Sequence, residues 1–254
     1  MLLLGLDTAT PAVTVALHDG GQPLAQLVTV DAHRHAELLA PSIAKVIADA
    51  GVSQRDLTGI AVGVGPGPYT GLRVGVVTAK VLGAALGIPV YGVCTLDVIA
   101  ADAEGERSFL VATDARRREL YYARYDETGR WAGPDVSVPA LIPDRQLPVA
   151  GEGPMLYPEL FPNSAGPAYP AAATLCRLVA AAVARGETVA DDGRVVGVVG
   201  AVGAVGAVGV VGAVGAAGAV VGAGGRRAIL LPPEPLYLRR PDAREPGAPK
   251  RVTP

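Results

Sequence analysis

Gly63-Val-Gly-Pro-Gly-Pro-Tyr-Thr-Gly71 is a glycine-rich loop ahead of an apolar helical pattern, the kind of turn whose free amides can cradle a phosphate. It lacks the Lys-Ser/Thr pair of a P-loop, and Pro66 and Pro68 carry no amide hydrogen. A rigid turn that aims the helix is the better reading. His33 and Glu37 stand one helical turn apart with His35 between them, a spacing that could hold a metal. The only other histidine, His18, sits in a strand pattern, so the ligand set stays incomplete and no metal site is expected. Cys94 and Cys176 stand in no redox or metal spacing and read as small core side chains of a reducing compartment.

Three acidic or glycine-bearing segments resemble, in order, the loops of actin-like ATPases. Asp7-Thr-Ala-Thr10 follows an apolar run as the first phosphate loop does there, where an acid and hydroxyls handle nucleotide and metal. The resemblance places Asp7, Thr8 and Thr10 in that role. Asp114-Ala-Arg116 falls where a second such loop would, and Gly151-Glu-Gly153 could border an adenosine site. Their order is more suggestive than any one of them.

The elements that would position these groups follow from periodicity. Residues 2–30 read as three short strands, and 33–50 as a helix with Leu38, Leu39, Ile43, Val46, Ile47 and Ala50 on one face. Pro41 lies inside that helix and should kink it against the carbonyl of Glu37. A buried strand at 58–64, a helix at 68–87 and a strand at 89–93 complete a βββαβαβ order, which predicts a mixed sheet covered by helices. Beyond residue 103, strands at 109–114 and 120–125 form a hairpin, and a helix at 171–185 closes this half.

The helix over 68–87 carries the most telling pattern. Gly71, Gly75, Ala79, Gly83 and Gly87 recur every four residues, while Leu72, Val76, Leu82 and Leu86 make a second apolar face. Only Arg73 and Lys80 are charged. A helix with so little polar surface should be covered on two sides, one being its own sheet. The other is either a larger monomer or, given how few other helices the chain has, a helix of another subunit at close range.

The 254 residues suffice for one large domain or two modest ones, and 50% apolar with 18% charged residues is an ordinary globular composition. A net charge of −2 provides no global field for a polyanion, so any RNA contact needs a local patch or a partner. Met1–Leu6 is too short for a signal h-region and Asp7 interrupts it, which makes the cytoplasm the expected compartment.

Gly65-Pro-Gly-Pro-Tyr-Thr-Gly-Leu-Arg73 with Ala79-Lys80 closely resembles the signature of the TsaB (YeaZ) family. Leu6–Thr10, Asp114-Ala-Arg-Arg-Arg-Glu-Leu-Tyr121, and Pro235–Arg239 with Asp242-Ala243 agree in order and spacing. Pro68-Tyr69 depart from the small hydroxyl residue and Phe usual there. The resemblance covers about residues 1–193 and 228–245. It implies an α/β, actin-like (ASKHA, ribonuclease H-like) fold of two lobes, each a mixed sheet covered by helices. It also implies a non-catalytic subunit that supports TsaD, with the ATPase TsaE, in threonylcarbamoyl transfer to the adenosine next to the anticodon of tRNA. The family's contact runs through its first two helices, which carries over to His35, Leu38, Leu39, Ile43, Thr70, Gly71, Leu72, Arg73, Gly75, Val76, Ala79, Lys80 and Gly83, and a homodimer could use the same surface. The nucleotide site of this subunit (Asp7, Thr8, Thr10, Asp114, Arg116, Gly151, Gly153) is expected to be degenerate, with no cofactor of its own, ATP being used by the complex and tRNA reached through it.

The expected organisation is an N-terminal lobe at 1–103, a smaller lobe at 104–193, a low-complexity segment at 194–225 and an extended Pro/Arg-rich tail at 226–254. Residues 195–225 draw only on Val, Ala and Gly, with glycine at strict period three over much of their length. That period spirals glycine over every face of a helix, which argues against a membrane span, and the absence of Pro argues against collagen. Two other readings compete with the accessory subunit. One is an autonomous actin-fold kinase or hydrolase built on Asp7, Thr8, Thr10 and Asp114; the other is a membrane-tethered variant using the tract.

Overall fold

The computed structural model describes residues 1–103, 108–189, 195–197 and 229–238. The expected low-complexity segment, beyond 195–197, and the basic tail, apart from 229–238, lie outside the described residues.

β1 (Leu3–Asp7), β2 (Ala12–His18) and β3 (Pro23–Val30) run antiparallel as consecutive strands. α1 (His35–Asp49) leads to β4 (Gly59–Gly63), which returns parallel to β1. α2 (Tyr69–Leu86) leads to β5 (Val90–Val93), parallel to β4. β1, β2 and β4 are buried along their whole length and read as largely apolar runs, with Asp7, Thr14 and His18 their buried polar members; β3, at the edge, alternates. α2 ends where Gly87 takes φ +66 and returns its N–H to the carbonyl of Gly83. The expected kink in α1 does not break the helix: Pro41 lies exposed on an uninterrupted element, where water can serve the carbonyl its ring leaves unpaired.

α1 and α2 share one face of this sheet. Leu39, Ile43, Val46 and Ile47 from α1, with Leu72, Val76 and Ala79 from α2, close over Leu4, Leu6, Val13, Val15, Ile60 and Val62. The opposite face is covered by α5 (Ala172–Ala184), whose Leu175, Cys176, Val179 and Ala182 pack on Leu3, Ala61, Tyr91 and Val93. This corrects the expectation that α5 closes the second half. Its apolar stripe matches the first sheet, where a side chain on Gly5 would strike Cys176 Sγ and the carbonyl of Ala172.

The second sheet takes the order β8 (Gly129–Ser137), β7 (Leu120–Asp126), β6 (Ser108–Asp114), β9 (Val149–Ala150). A short helix, α3 (Thr95–Ala100), directly after β5, joins the two sheets: Cys94, Leu96 and Ile99 pack with Phe109, Val111, Ala123 and Tyr125. Asp97 on α3 accepts a hydrogen bond from Tyr125 Oη at 2.7 Å and lies 3.0 Å from Arg130 Nε. α4 (Gly153–Leu156) follows β9. β10 (Glu187–Val189) pairs with β11 (Val195–Gly197), so the valine-rich tract begins as a strand. β12 (Leu230–Leu231) adds to the first sheet beside β5. Beyond it the Leu236 N–H donates to the carbonyl of Val64 at 2.7 Å, which anchors the start of the expected extended tail. Among the described residues no helix is long and apolar enough to cross a membrane.

Candidate functional site

β1 delivers Asp7, Thr8 and Thr10 to its C-terminal end, beneath the start of α2. Asp7 is fully buried; its Oδ1 accepts from the amide of Ala9 and its Oδ2 from Thr95 Oγ1, each at 2.7 Å. The Cα of Gly63 lies so close that any side chain there would collide with this carboxylate. Burial pushes the acid up to about 6, against the pull of its two hydrogen bonds. Thr8 Oγ1 donates to the carbonyl of Gly71 at 2.7 Å and accepts from the amide of Gly75 at 3.0 Å. Its hydroxyl is thus spent on tying the strand end to α2. Thr10 is buried as well, and its carbonyl meets His35 Nε2 at 2.8 Å.

From the second sheet come Asp114 and Arg116. The Asp114 amide donates to Glu152 Oε2 at 3.2 Å, and Arg116 Nη1 lies 3.3 Å from Asp114 Oδ2. Glu152, between Gly151 and Gly153, is 5% exposed. Burial raises its acid to about 7, with the Asp114 amide lowering it and the Asp114 charge raising it. Gly151 takes φ +90 with its Cα against the Ala112 backbone, a position no other residue would fill. Gly151 and Gly153 therefore seat β9 and α4 on β6. In the sequence these glycines stand out as a pair, whereas the acid between them carries no local signal of its burial.

Thr8, Thr10 and Arg116 line one cleft of about 390 Å³ with His33, His35, Tyr69, Thr70 and Gly71. Asp7, Asp114, Gly151 and Gly153 are not part of its wall. The residues named for nucleotide binding are thus divided, with the first acid shut away from the cleft. Among the described residues no three groups of metal-ligating type come together.

The residues named for partner binding divide too. Thr70, Arg73 and Lys80 are exposed, and His35 and Leu38 are half-buried. Leu39, Ile43, Leu72, Val76 and Ala79 are buried in the chain's own core. The glycine stripe also faces inward: a side chain on Gly71 would meet the Thr8 carbonyl at 2.7 Å, one on Gly75 the Thr8 hydroxyl, and one on Gly83 Val90. This corrects the expected geometry. The small residues let α2 approach β1 and β5, not a foreign helix, so none of these buried positions can be touched from outside. Besides charged and polar residues, among them Glu37, Lys45 and Asp49 of α1, what faces out is apolar: Val77, Val81, Ala84 and Ala85 on α2, and Ala36, Ala40, Ala44 and Ala48 on α1. Their spacing of three and four on the side opposite the glycines was the available signal.

Near the N-terminus of α2, Tyr69 stacks on Tyr237 at 5.2 Å between ring centroids, and Arg73 lies over the Tyr69 ring and donates to its hydroxyl at 2.6 Å. Tyr121 Oη reaches the carbonyl of Gly67 at 3.5 Å, which ties the β6–β7 hairpin to the glycine-rich loop.

The family model described as "TsaD: tRNA N6-adenosine threonylcarbamoyltransferase" matches residues 28–143. An uncharacterised protein of Mycobacterium tuberculosis is 50% identical over 153 residues, 59% of this chain and 71% of that one. The tRNA threonylcarbamoyladenosine biosynthesis protein TsaB of Escherichia coli is 34% identical over 166 residues, covering 60% of this chain and 69% of its relative. The crystal structure of YeaZ from Pseudomonas aeruginosa is similar with a TM-score of 0.62 at 31% identity, over 73% of this chain and 94% of that one. With its two mixed sheets joined by helices and these similarities, the chain belongs to the TsaB (YeaZ) family.

Proposed function

We propose that this chain serves tRNA threonylcarbamoyladenosine biosynthesis as a non-catalytic partner of a TsaD-like transferase, which it holds through the outward faces of α1 and α2. The carrying observation is the outer surface of that helix layer. Val77 and Val81 are 49% and 61% exposed, beside Ala84 on α2 and the alanine row of α1. A surface helix of 18 residues ordinarily turns a broad polar face to water, yet this one turns valines, with Arg73 and Lys80 its only charges. The match to the transferase family itself supports a paralogous partner with a similar helix layer, as does the biosynthetic name of the relatives. A TsaE-like ATPase joins the pair, a second copy of this chain can use the same face, tRNA is engaged within the complex, and the work is cytoplasmic.

Asp7 supports the non-catalytic reading, since a buried carboxylate locked to Thr95 is not free to hold a nucleotide's metal. Glu152, an acid poised near neutrality beside Asp114, is what favours the rival reading of an autonomous hydrolase. Val81→Asp puts a charge at the centre of the valine face and leaves the core untouched. The variant should melt like the wild type and lose co-elution with the TsaD partner by at least roughly tenfold in affinity, as a desolvated charge in an interface demands. Retained binding would sink the interface, and ATP turnover by the isolated chain, abolished in Glu152→Gln, would move the assignment to the hydrolase.

A further inference from the structure

We propose that the Tyr/Arg surface bordering the α2 cleft is a binding site for single-stranded RNA, contacted by this chain directly. The inference rests on the assignment to tRNA modification and adds a contact which that assignment does not include.

Two rims border the cleft, whose wall includes Tyr69 and Arg116. On one, Tyr69 and Tyr237 stack at 5.2 Å while remaining 42% and 40% exposed, and Arg73 rides over the Tyr69 ring. Solvent-exposed aromatic rings stacked in this way are platforms on which a base can add the next layer, and a guanidinium plane serves equally. On the other rim, the β6–β7 turn presents Arg116, Arg117 and Arg118, all exposed, with Arg116 in the wall of the cleft beside Tyr69 and Thr70.

The backbone of that turn is unusual. Arg116, Arg117 and Arg118 take φ of +60, +55 and +61, three successive left-handed residues with side chains. Each such residue costs on the order of 1 kcal/mol, and glycine or asparagine would remove the cost. The turn instead keeps three guanidinium groups and is held in place by Asp114 Oδ1, which accepts from the Arg116 amide at 2.8 Å, and by backbone bonds between Arg116, Glu119 and Ala115.

The charge is local. In a chain of net −2, the rims carry Arg73 and three consecutive arginines, with Asp114 ion-paired to Arg116 and Glu119 closing the turn. Aromatic layers for bases and guanidinium groups for phosphates, bordering a cleft of about 390 Å³, suit unpaired nucleotides better than a duplex, whose bases cannot reach the rings. A protein surface could also use Tyr and Arg, but it gives no reason for three strained arginines in a row.

The test uses the full chain and a fluorescent RNA stem-loop with an unpaired seven-base loop, compared with a blunt duplex of equal charge and with ATP. The stem-loop should bind more tightly than the duplex, with ATP a weak competitor. Tyr237→Ala should weaken stem-loop binding roughly tenfold through loss of one stacking layer. Arg116→Ala with Arg118→Ala should weaken it by a similar factor and flatten its salt dependence. Melting temperatures and co-elution with the TsaD partner should stay unchanged in these variants, whereas Val81→Asp should lose the partner and keep the RNA. Equal binding to stem-loop and duplex overturns the proposal, as does stem-loop affinity indifferent to both sets of substitutions. If the Tyr and Arg variants lose the partner while RNA binding persists, the surface is a protein contact and the RNA site is refuted. Tighter binding of ATP than of RNA, lost in Tyr237→Ala, would make it a site for a free nucleotide and refute it too.

Discussion

The carboxyl group of Asp7 has no access to water, and its neighbours are two donors and the bare Cα of Gly63. Burial outweighs the donors and lifts it from 3.8 to about 6. The folded chain therefore binds this proton more tightly than the unfolded one, so the stabilisation is complete below about pH 4 and is lost as pH rises through 6. A rise to about 6 corresponds to roughly 2–3 kcal/mol. Glu152 adds a second loss between its ordinary 4.5 and about 7. Denaturant titration should find the wild type less stable at pH 8 than at pH 5.5, with Glu152→Gln removing most of the difference and Asp7→Asn a smaller part, because most of the Asp7 loss is already complete by pH 5.5; an equally steep dependence in both variants would refute the account. Residue types and spacing pointed to Asp7 and Thr8, and the structure buries both at the end of β1. Whether such groups face a ligand or the chain depends on the packing of α2 over them, which no local pattern encodes.

At the scale of the element, α2 was legible in its bounds and misread in its orientation. A four-residue glycine stripe signals that a backbone approaches closely, but not whose backbone it is. Here it belongs to the strand ends at Thr8 and Val90. Gly75→Leu therefore drives bulk into Thr8 and Leu6 and should destabilise the chain by about 3 kcal/mol or more. A fall in melting temperature of the isolated chain distinguishes this from an interface defect; an unaffected melt with lost partner binding would restore the outward reading. The same logic explains why α5 was assigned to the wrong half. Its apolar stripe specifies burial, while the choice of sheet is decided by the small residue at Gly5, remote in sequence, that makes room for Cys176. β8 escaped detection because its Gly- and Pro-bearing sequence carries no clean alternation; its shifted register against β7 reflects the same irregularity.

At the scale of the molecule, the two sheets are bonded through a small number of groups. The first sheet has its own cores on both faces, and the second has Leu110, Ala112, Leu120, Ile142, Val149 and Phe161. Between them stand the α3 cluster and the carboxylate of Asp97, which serves Tyr125 Oη and Arg130 at once. Tyr125 is 3% exposed and the Arg130 side chain 14%, so removing the acid leaves a hydroxyl and a guanidinium in a site that water scarcely reaches. Asp97→Ala should therefore cost about 3–5 kcal/mol, the range for breaking a buried pair at one end. The cost should be unequal in space. β1, β2 and β4 lie between α5 and the α1–α2 layer and do not depend on Asp97, whereas β7 and β8 hold their place beside α3 through it. Hydrogen exchange should accelerate across 120–137 by a larger factor than across 3–18, and the outward valine face of α2 should keep its affinity for the partner. Uniform acceleration over both sheets would mean that they unfold as one unit and that the ion-paired joint is not a boundary.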